Sequence, residues 1–292
     1  MNQSPISALR TDNPADVMNH LRGLGALPDG GIDLAGTALL LAALDQPGIT
    51  LDQYESHLRR LSDDVRDRFA ALIDAGAGDT PDTKIAALKH IICDQYGYDG
   101  DRDQYDDLQN ASLIRTIDRR RGMPITLAIL CIAVGRRIGW AVQGLNIPGH
   151  FVCRMDDGAV RVIFDPFNGC KILQAPDLRQ LVKQTLGPNA ELSADYYNPA
   201  DNRTILVRLQ NNIKLRRIEA EDYEGALNAV EAMRAFDPDE VRLLLDAGVL
   251  YARTGRLNDA VAALEAYIPR APSPQDRQDA EMLLFQVRDI LN

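Results

Sequence analysis

Apolar positions along this chain recur at two spacings, and the switch between them divides it. Leu34 to Asp45 is almost wholly apolar, a compact helix ending before Pro47. Between Leu51 and Ala75, Leu58, Leu61, Val65, Phe69 and Leu72 fall at three- and four-residue steps, as in an amphipathic helix. Gly76 to Pro81 reads as a turn and Ile85 to Tyr96 as a further helix. A polar loop with tyrosines follows over Gly97 to Asn110, then a short helix over Ser112 to Arg121. At Gly122 the character changes. Pro124 suits the first position of a helix, where its missing N–H costs nothing. Ile125 to Ile138 is apolar on nearly every side, which marks a buried central helix, and Arg136, Arg137 and Gly139 are C-terminal chemistry. The period then drops to two. Trp140–Asn146, His150–Met155 and Val160–Phe164 read as strands, the last two joined through a turn at Asp156-Asp157-Gly158. One buried helix ahead of an antiparallel sheet is an α+β arrangement.

After a stretch punctuated by Pro176, Pro188 and Pro199 the pattern is helical to Leu291. A shift of about 34 residues aligns Ala226 with Ala260, Val230 with Leu264 and Pro238 with Pro272. Leu244, Gly248, Tyr251 and Gly255 precede Ala260, with small residues where two helices would cross closely. This is tetratricopeptide spacing. In the first copy Lys214 and Arg217 stand where Gly and Tyr are expected, so its opening helix is atypical. The predicted organisation is a helical N-terminal segment over 1–110, an α+β core over 111–175, a connecting stretch over 176–202 and tetratricopeptide-like repeats over 203–292, the last helix, Gln275–Leu291, acting as a cap.

Composition narrows the functional classes. The 292 residues are 46% hydrophobic and 25% charged, with a net charge of −10, a balance that suits a globular fold and argues against a nucleic-acid surface. Arg119, Arg120 and Arg121 form a local basic run, read as a solvated face paired with Asp106, Asp107 and Asp118. Met1 to Asn13 shows no basic and apolar leader pattern, and the longest apolar run, Ala35–Leu44, is too short for a bilayer, so a cytoplasmic location with no membrane partner is expected. Cys93, Cys131, Cys153 and Cys170 are far apart in sequence, with no CxxC pair. They are expected as free, mostly buried thiols. His20, His57, His90 and His150 are equally scattered, so neither a metal site nor a cofactor is expected.

The candidate chemistry lies in three blocks, GMPITLAILCIAVGRRIG, NIPGHF and VIFDPFNG. They resemble a transglutaminase-like (papain-like) core, in which a cysteine opens the buried helix, a histidine sits on the next strand and an aspartate before a proline follows on another. His150 and Asp165 match the last two. In such a triad the thiolate attacks, the imidazole takes its proton and the acid orients the imidazole. At the nucleophile the match fails. Counting back from Gly139 and Ala128 places it at or near Pro124, and the helix opens Pro124-Ile125-Thr126. Thr126 carries a hydroxyl, but an unactivated threonine is a poor nucleophile. Cys131 lies about two turns, roughly 10 Å, further along the helix and reads as core. Cys153 follows His150 by three, so strand alternation points the two apart, and Cys170 sits in a loop after Asp165. These two are the candidate relocated thiols.

Together with the helical N-terminal segment and the repeats, the blocks RRRGMPITLA, NIPGHFVCR and IFDPFNG resemble the bacterial SirB family of transglutaminase-like/tetratricopeptide proteins, over about Leu34 to Leu291. The resemblance implies the architecture above. Two functions remain open. One is a non-catalytic interaction or regulatory module, with His150 and Asp165 as the remnant of a site and the repeats taking a protein or peptide partner. The other is a cysteine-dependent hydrolase or acyltransferase using Cys153 or Cys170 with His150 and Asp165. His150 and Asp165 also read as a purely structural buried pair, the Pro148-Gly149 that precedes them as an ordinary tight turn, and the repeats as packing alone. Tyr96, Tyr98 and Tyr105 either line a pocket or cover the apolar edge of the helical segment.

Overall fold

The computed structural model describes residues 11–291, which fall into two compact units. Met1–Arg10, read above as free of a leader pattern, lies outside the described residues. Helix α1 (Pro14–Gly25), which buries Val17, Leu21 and Leu24, lies almost wholly in the second unit. The apolar pattern read from Leu34 onward leaves it out.

The first unit comprises residues 11–14 and Ile32–Ile205. Helix α2 (Leu34–Leu44) is capped by Asp33, whose carboxylate accepts from Gly36 N at 3.2 Å, and buries all of its residues but Leu44. Helix α3 (Asp52–Asp74) buries Tyr54, Leu58, Leu61 and Val65 along one stripe, while Phe69 meets Trp140 edge to face at 5.2 Å. Helix α4 (Pro81–Leu88) opens four residues before Ile85, because Thr80 caps it and Pro81 fits its first turn. It runs on as a π-helix over Lys89–Gln95. Two short strands, β1 (Asp99–Gly100) and β2 (Arg121–Gly122), pair in parallel around α5 (Leu113–Arg119). Ser112 caps α5, its hydroxyl accepting from Arg115 N at 3.3 Å. Helix α6 (Pro124–Arg137) is buried at every position from Pro124 to Gly135.

Strands β3 (Ala141–Ile147), β4 (His150–Asp157), β5 (Val160–Asp165), β6 (Lys171–Leu173) and β7 (Pro199–Ala200) form one antiparallel sheet in the order β6-β5-β4-β3-β7. Helix α6 packs against β3 and β4. Helix α7 (Ala175–Leu186) brings Leu178 and Val182 onto Leu145, Ile147, Val152, Ile163 and Leu173. It forms within the stretch expected to be a connection. Pro176 is tolerated because it sits in the first turn, and the Asp177 carboxylate accepts from Gln174 N at 2.8 Å.

In the second unit α1 is joined by residues 206–291, most of α8 (Asn202–Glu219) and then α9 (Tyr223–Phe236), α10 (Arg242–Arg253), α11 (Leu257–Tyr267) and α12 (Pro274–Leu291). Ala226 and Ala260, equivalent under the 34-residue shift, are both fully buried. The two cations that break the repeat pattern are paired: Lys214 with Asp246 at 2.6 Å and Arg217 with Asp222 at 3.0 Å.

Candidate functional site

The register Ile147↔His150 leaves Pro148 and Gly149 as a two-residue hairpin loop. Gly149 has φ +71°, which proline before it and glycine in third place supply in a tight turn. His150 is thereby fixed as the first residue of β4. Asp165 is the last residue of β5, and His150 Nε2 stands 2.8 Å from Asp165 Oδ2. The pair is shielded: its side chains are 12% and 2% exposed.

Asp165 does more than face the imidazole. Its Oδ1 accepts from Phe167 N at 3.0 Å and its Oδ2 from Asn168 Nδ2 at 2.7 Å, so it caps the short 3-10 turn Pro166–Asn168. The turn holds the Phe167 ring edge-on to His150, with centroids 5.9 Å apart. Arg102 lies over the other side of that ring at 5.1 Å and donates to Phe167 O at 2.9 Å. A Cβ on Gly100 would come within 2.5 Å of the ring, so only glycine permits this approach. Neither Gly100 nor Arg102 stands out in sequence, because each lies more than sixty residues from its contact. The Asp-Pro-Phe-Asn-Gly run is the local signal for the cap.

At the head of α6, Pro124, Ile125 and Thr126 are all buried. The Thr126 hydroxyl donates to Asn110 O at 2.9 Å and Met123 O at 3.0 Å. It ties the helix start to the preceding loop.

The thiols are drawn together. Cys93 Sγ and Cys170 Sγ are 3.7 Å apart, the Cys131 and Cys170 thiols perturb one another's protonation, and Cys153 Sγ points at Ala128 O of α6 at 3.8 Å. All four are pushed above the ordinary thiol range. The bond to Cys170 and then burial raise Cys93. Cys131 is raised by burial and by Cys153, Cys93 and Asp165, against the lowering effect of Cys170. Burial raises Cys153 most, followed by Cys170 and Asp165. For Cys170 the neighbouring Cys131 thiol leads and burial adds to it, against the lowering effect of Cys93. A thiol held protonated is a poor nucleophile.

The basic run pairs differently from the expectation. Arg119 meets Asp101 at 2.8 Å and Asn110 Oδ1 at 3.0 Å, while Arg121 donates to the carbonyls of Gly97 and Arg120. Arg120 donates to His57 Nε2 at 2.9 Å and to the Tyr98 hydroxyl, its guanidinium 4.7 Å from the Tyr98 ring. Asp118 accepts instead from Tyr54. Tyr98 is buried, Tyr96 donates to Asp64 at 2.7 Å, and Tyr105 packs edge-on against Phe167.

Among the described residues no cluster of His, Cys, Asp or Glu is placed to hold a metal, and no helix is long and apolar enough to cross a membrane. A helix buried against an antiparallel sheet, with a histidine and an aspartate at neighbouring strand ends, defines a transglutaminase-like domain, and helical repeats follow it. Residues 52–211 match the transglutaminase-like superfamily and residues 213–286 the tetratricopeptide repeat. The chain belongs to the transglutaminase-like superfamily, as a SirB-like member carrying tetratricopeptide helices. It is similar to a UPF0162 protein of Xylella fastidiosa (strain Temecula1), 31% identical over 86% of this chain and 88% of that one. Protein SirB1 of Salmonella typhimurium is 23% identical over 72% of this chain and 77% of its own. The F-box only protein 21 of Homo sapiens is 27% identical over 58% of this chain and 28% of its own length. No solved structure matches the chain.

Proposed function

We propose that this protein is a non-catalytic transglutaminase-like module of the cytoplasm that works by binding a protein or peptide partner through its tetratricopeptide-like helices. The observation that carries the reading is the head of α6. The position from which a superfamily thiol would attack falls at or near Pro124, and the hydroxyl of Thr126 beside it is fully buried and shared between two carbonyls. The state of the cysteines supports it, because Cys153 and Cys170 are both held strongly protonated. His150 and Asp165 then serve as a structural clasp that holds the 166–170 turn. Tetratricopeptide repeats generally mediate protein–protein interaction, and the second unit carries a groove of about 500 Å³ for it. Met18, Pro238 and Leu244 give it apolar wall, with Arg22, Arg234, Glu231 and Glu240 around them.

The test is turnover. The full chain is incubated with a glutamine-containing peptide and a primary amine, and separately with peptide and ester substrates. No product above the buffer rate is expected, with or without His150→Ala. Thiol-dependent product that disappears in His150→Ala would replace this reading with the cysteine-dependent enzyme. For a captured partner, charge reversal at Arg22 and Arg234 is expected to weaken binding.

A further inference from the structure

Sulfur is the most concentrated reactive chemistry that the proposed function leaves unused. The four cysteines lie on four different segments: the π-helix, the middle of α6, β4 and the loop after Asp165. Even so, Cys93 and Cys170 are in van der Waals contact at 3.7 Å across 77 residues of sequence. Two unusual backbone features deliver them. Cys170 has φ +56°, a left-handed conformation that a residue with a side chain enters only when its surroundings hold it there. Cys93 sits on a π-helix, a winding that recurs where a side chain has to be aimed. Their exposure differs too. Cys93 is partly open to solvent and Cys170 is buried. One part-buried cysteine touching one buried cysteine places an oxidisable thiol beside a resolving partner.

We propose that Cys93 and Cys170 are an oxidative modification site, at which a peroxide forms a disulfide tying the π-helix to the loop after Asp165. In the first step Cys93 sulfur attacks a peroxide oxygen. An S–O bond forms, the O–O bond breaks, and the departing oxygen leaves as water with the thiol proton. The product is a sulfenic acid. Cys170 sulfur then displaces the new hydroxyl, so that the S–S bond forms as the S–O bond breaks, and the hydroxyl leaves as a second water with the Cys170 proton. The two sulfurs give up two electrons and both peroxide oxygens end as water. The sulfurs must close by about 1.7 Å to reach disulfide length, a movement available to side-chain rotation. The Cys170 contact and burial keep Cys93 protonated, so the first step is slow and the site answers sustained rather than brief exposure. Cys131, which perturbs the protonation of Cys170, is the competing partner.

The experiment treats the full chain with hydrogen peroxide, digests it without reductant and maps the linked peptides by mass spectrometry. The expected result is a cross-link between the Cys93 and Cys170 peptides, free thiols falling from four to two, and recovery of all four with dithiothreitol. Cys93→Ser and Cys170→Ser each abolish this cross-link, and Cys153→Ser keeps it. Should Cys170→Ser fail to fold by circular dichroism, Cys93→Ser at the part-exposed position decides alone. Three results overturn the proposal: Cys93 oxidised to sulfinic acid beside a free Cys170, a cross-link between Cys131 and Cys170 instead, or thiols that stay reduced until the chain is unfolded.

Discussion

Asp165 satisfies three donors with two oxygens: the His150 ring, the Phe167 amide and the Asn168 amide nitrogen. Removing the carboxylate takes the acceptor from the buried Phe167 amide and the shielded His150 ring, while the exposed Asn168 can turn to water. Asp165→Ala is therefore expected to cost about 2–4 kcal/mol, read as a lower urea midpoint at unchanged slope. His57 gives a prediction in pH. Burial first, then Arg120 and Arg60, lower its pKa to about 4. The unfolded chain protonates its histidines near pH ~6.5, so between about 6.5 and 4 it holds more protons than the folded one. Stability is then complete above that window and falls as the pH is lowered through it. Comparing unfolding midpoints at about pH 7 and about pH 4.5, His57→Gln should lose less on acidification than the parent chain.

Elements formed where the local period and the local caps agreed. Helix α6 and strands β3 to β5 were readable because an all-round apolar run, and short apolar runs punctuated by turn residues, need no distant information. Helix α7 was not, since Pro176 looks like a breaker until its place in the first turn is known. Helix α1 was passed over because its stripe is only Val17, Leu21 and Leu24. The neighbours of the histidine–aspartate pair were illegible for a different reason. Phe167 is positioned by Gly100 and Arg102 from a separate segment, and nothing in the local pattern of either marks the contact. The meeting of Cys93 and Cys170 was hidden in the same way. The Gly100 contact can be tested directly. Gly100→Ala sets a methyl against the Phe167 ring and should destabilise by about 1–3 kcal/mol. Phe167→Leu in the same chain should recover part of that loss, and thermal unfolding of the single and double variants measures the coupling.

At the scale of the whole molecule, the second unit is discontinuous in sequence, taking residues Ala15–Gly31 from near the start and 206–291 from the end. Gly25 packs so closely there that a Cβ would lie 2.8 Å from Ala235 O. Removing residues 1–31 should then loosen the helices from α9 onward more than α6 or the sheet, and amide hydrogen exchange reads this segment by segment. Synthesis adds an order of events. Helix α1 is synthesised before most of the first unit, and the helices it packs against only after it. At ~5–20 residues per second the wait is on the order of ten to forty seconds. Throughout it the stripe of Val17, Leu21 and Leu24 has no native surface to cover it. A nascent chain of this protein therefore offers a chaperone or a neighbouring polysome product an apolar handle that the finished molecule withdraws.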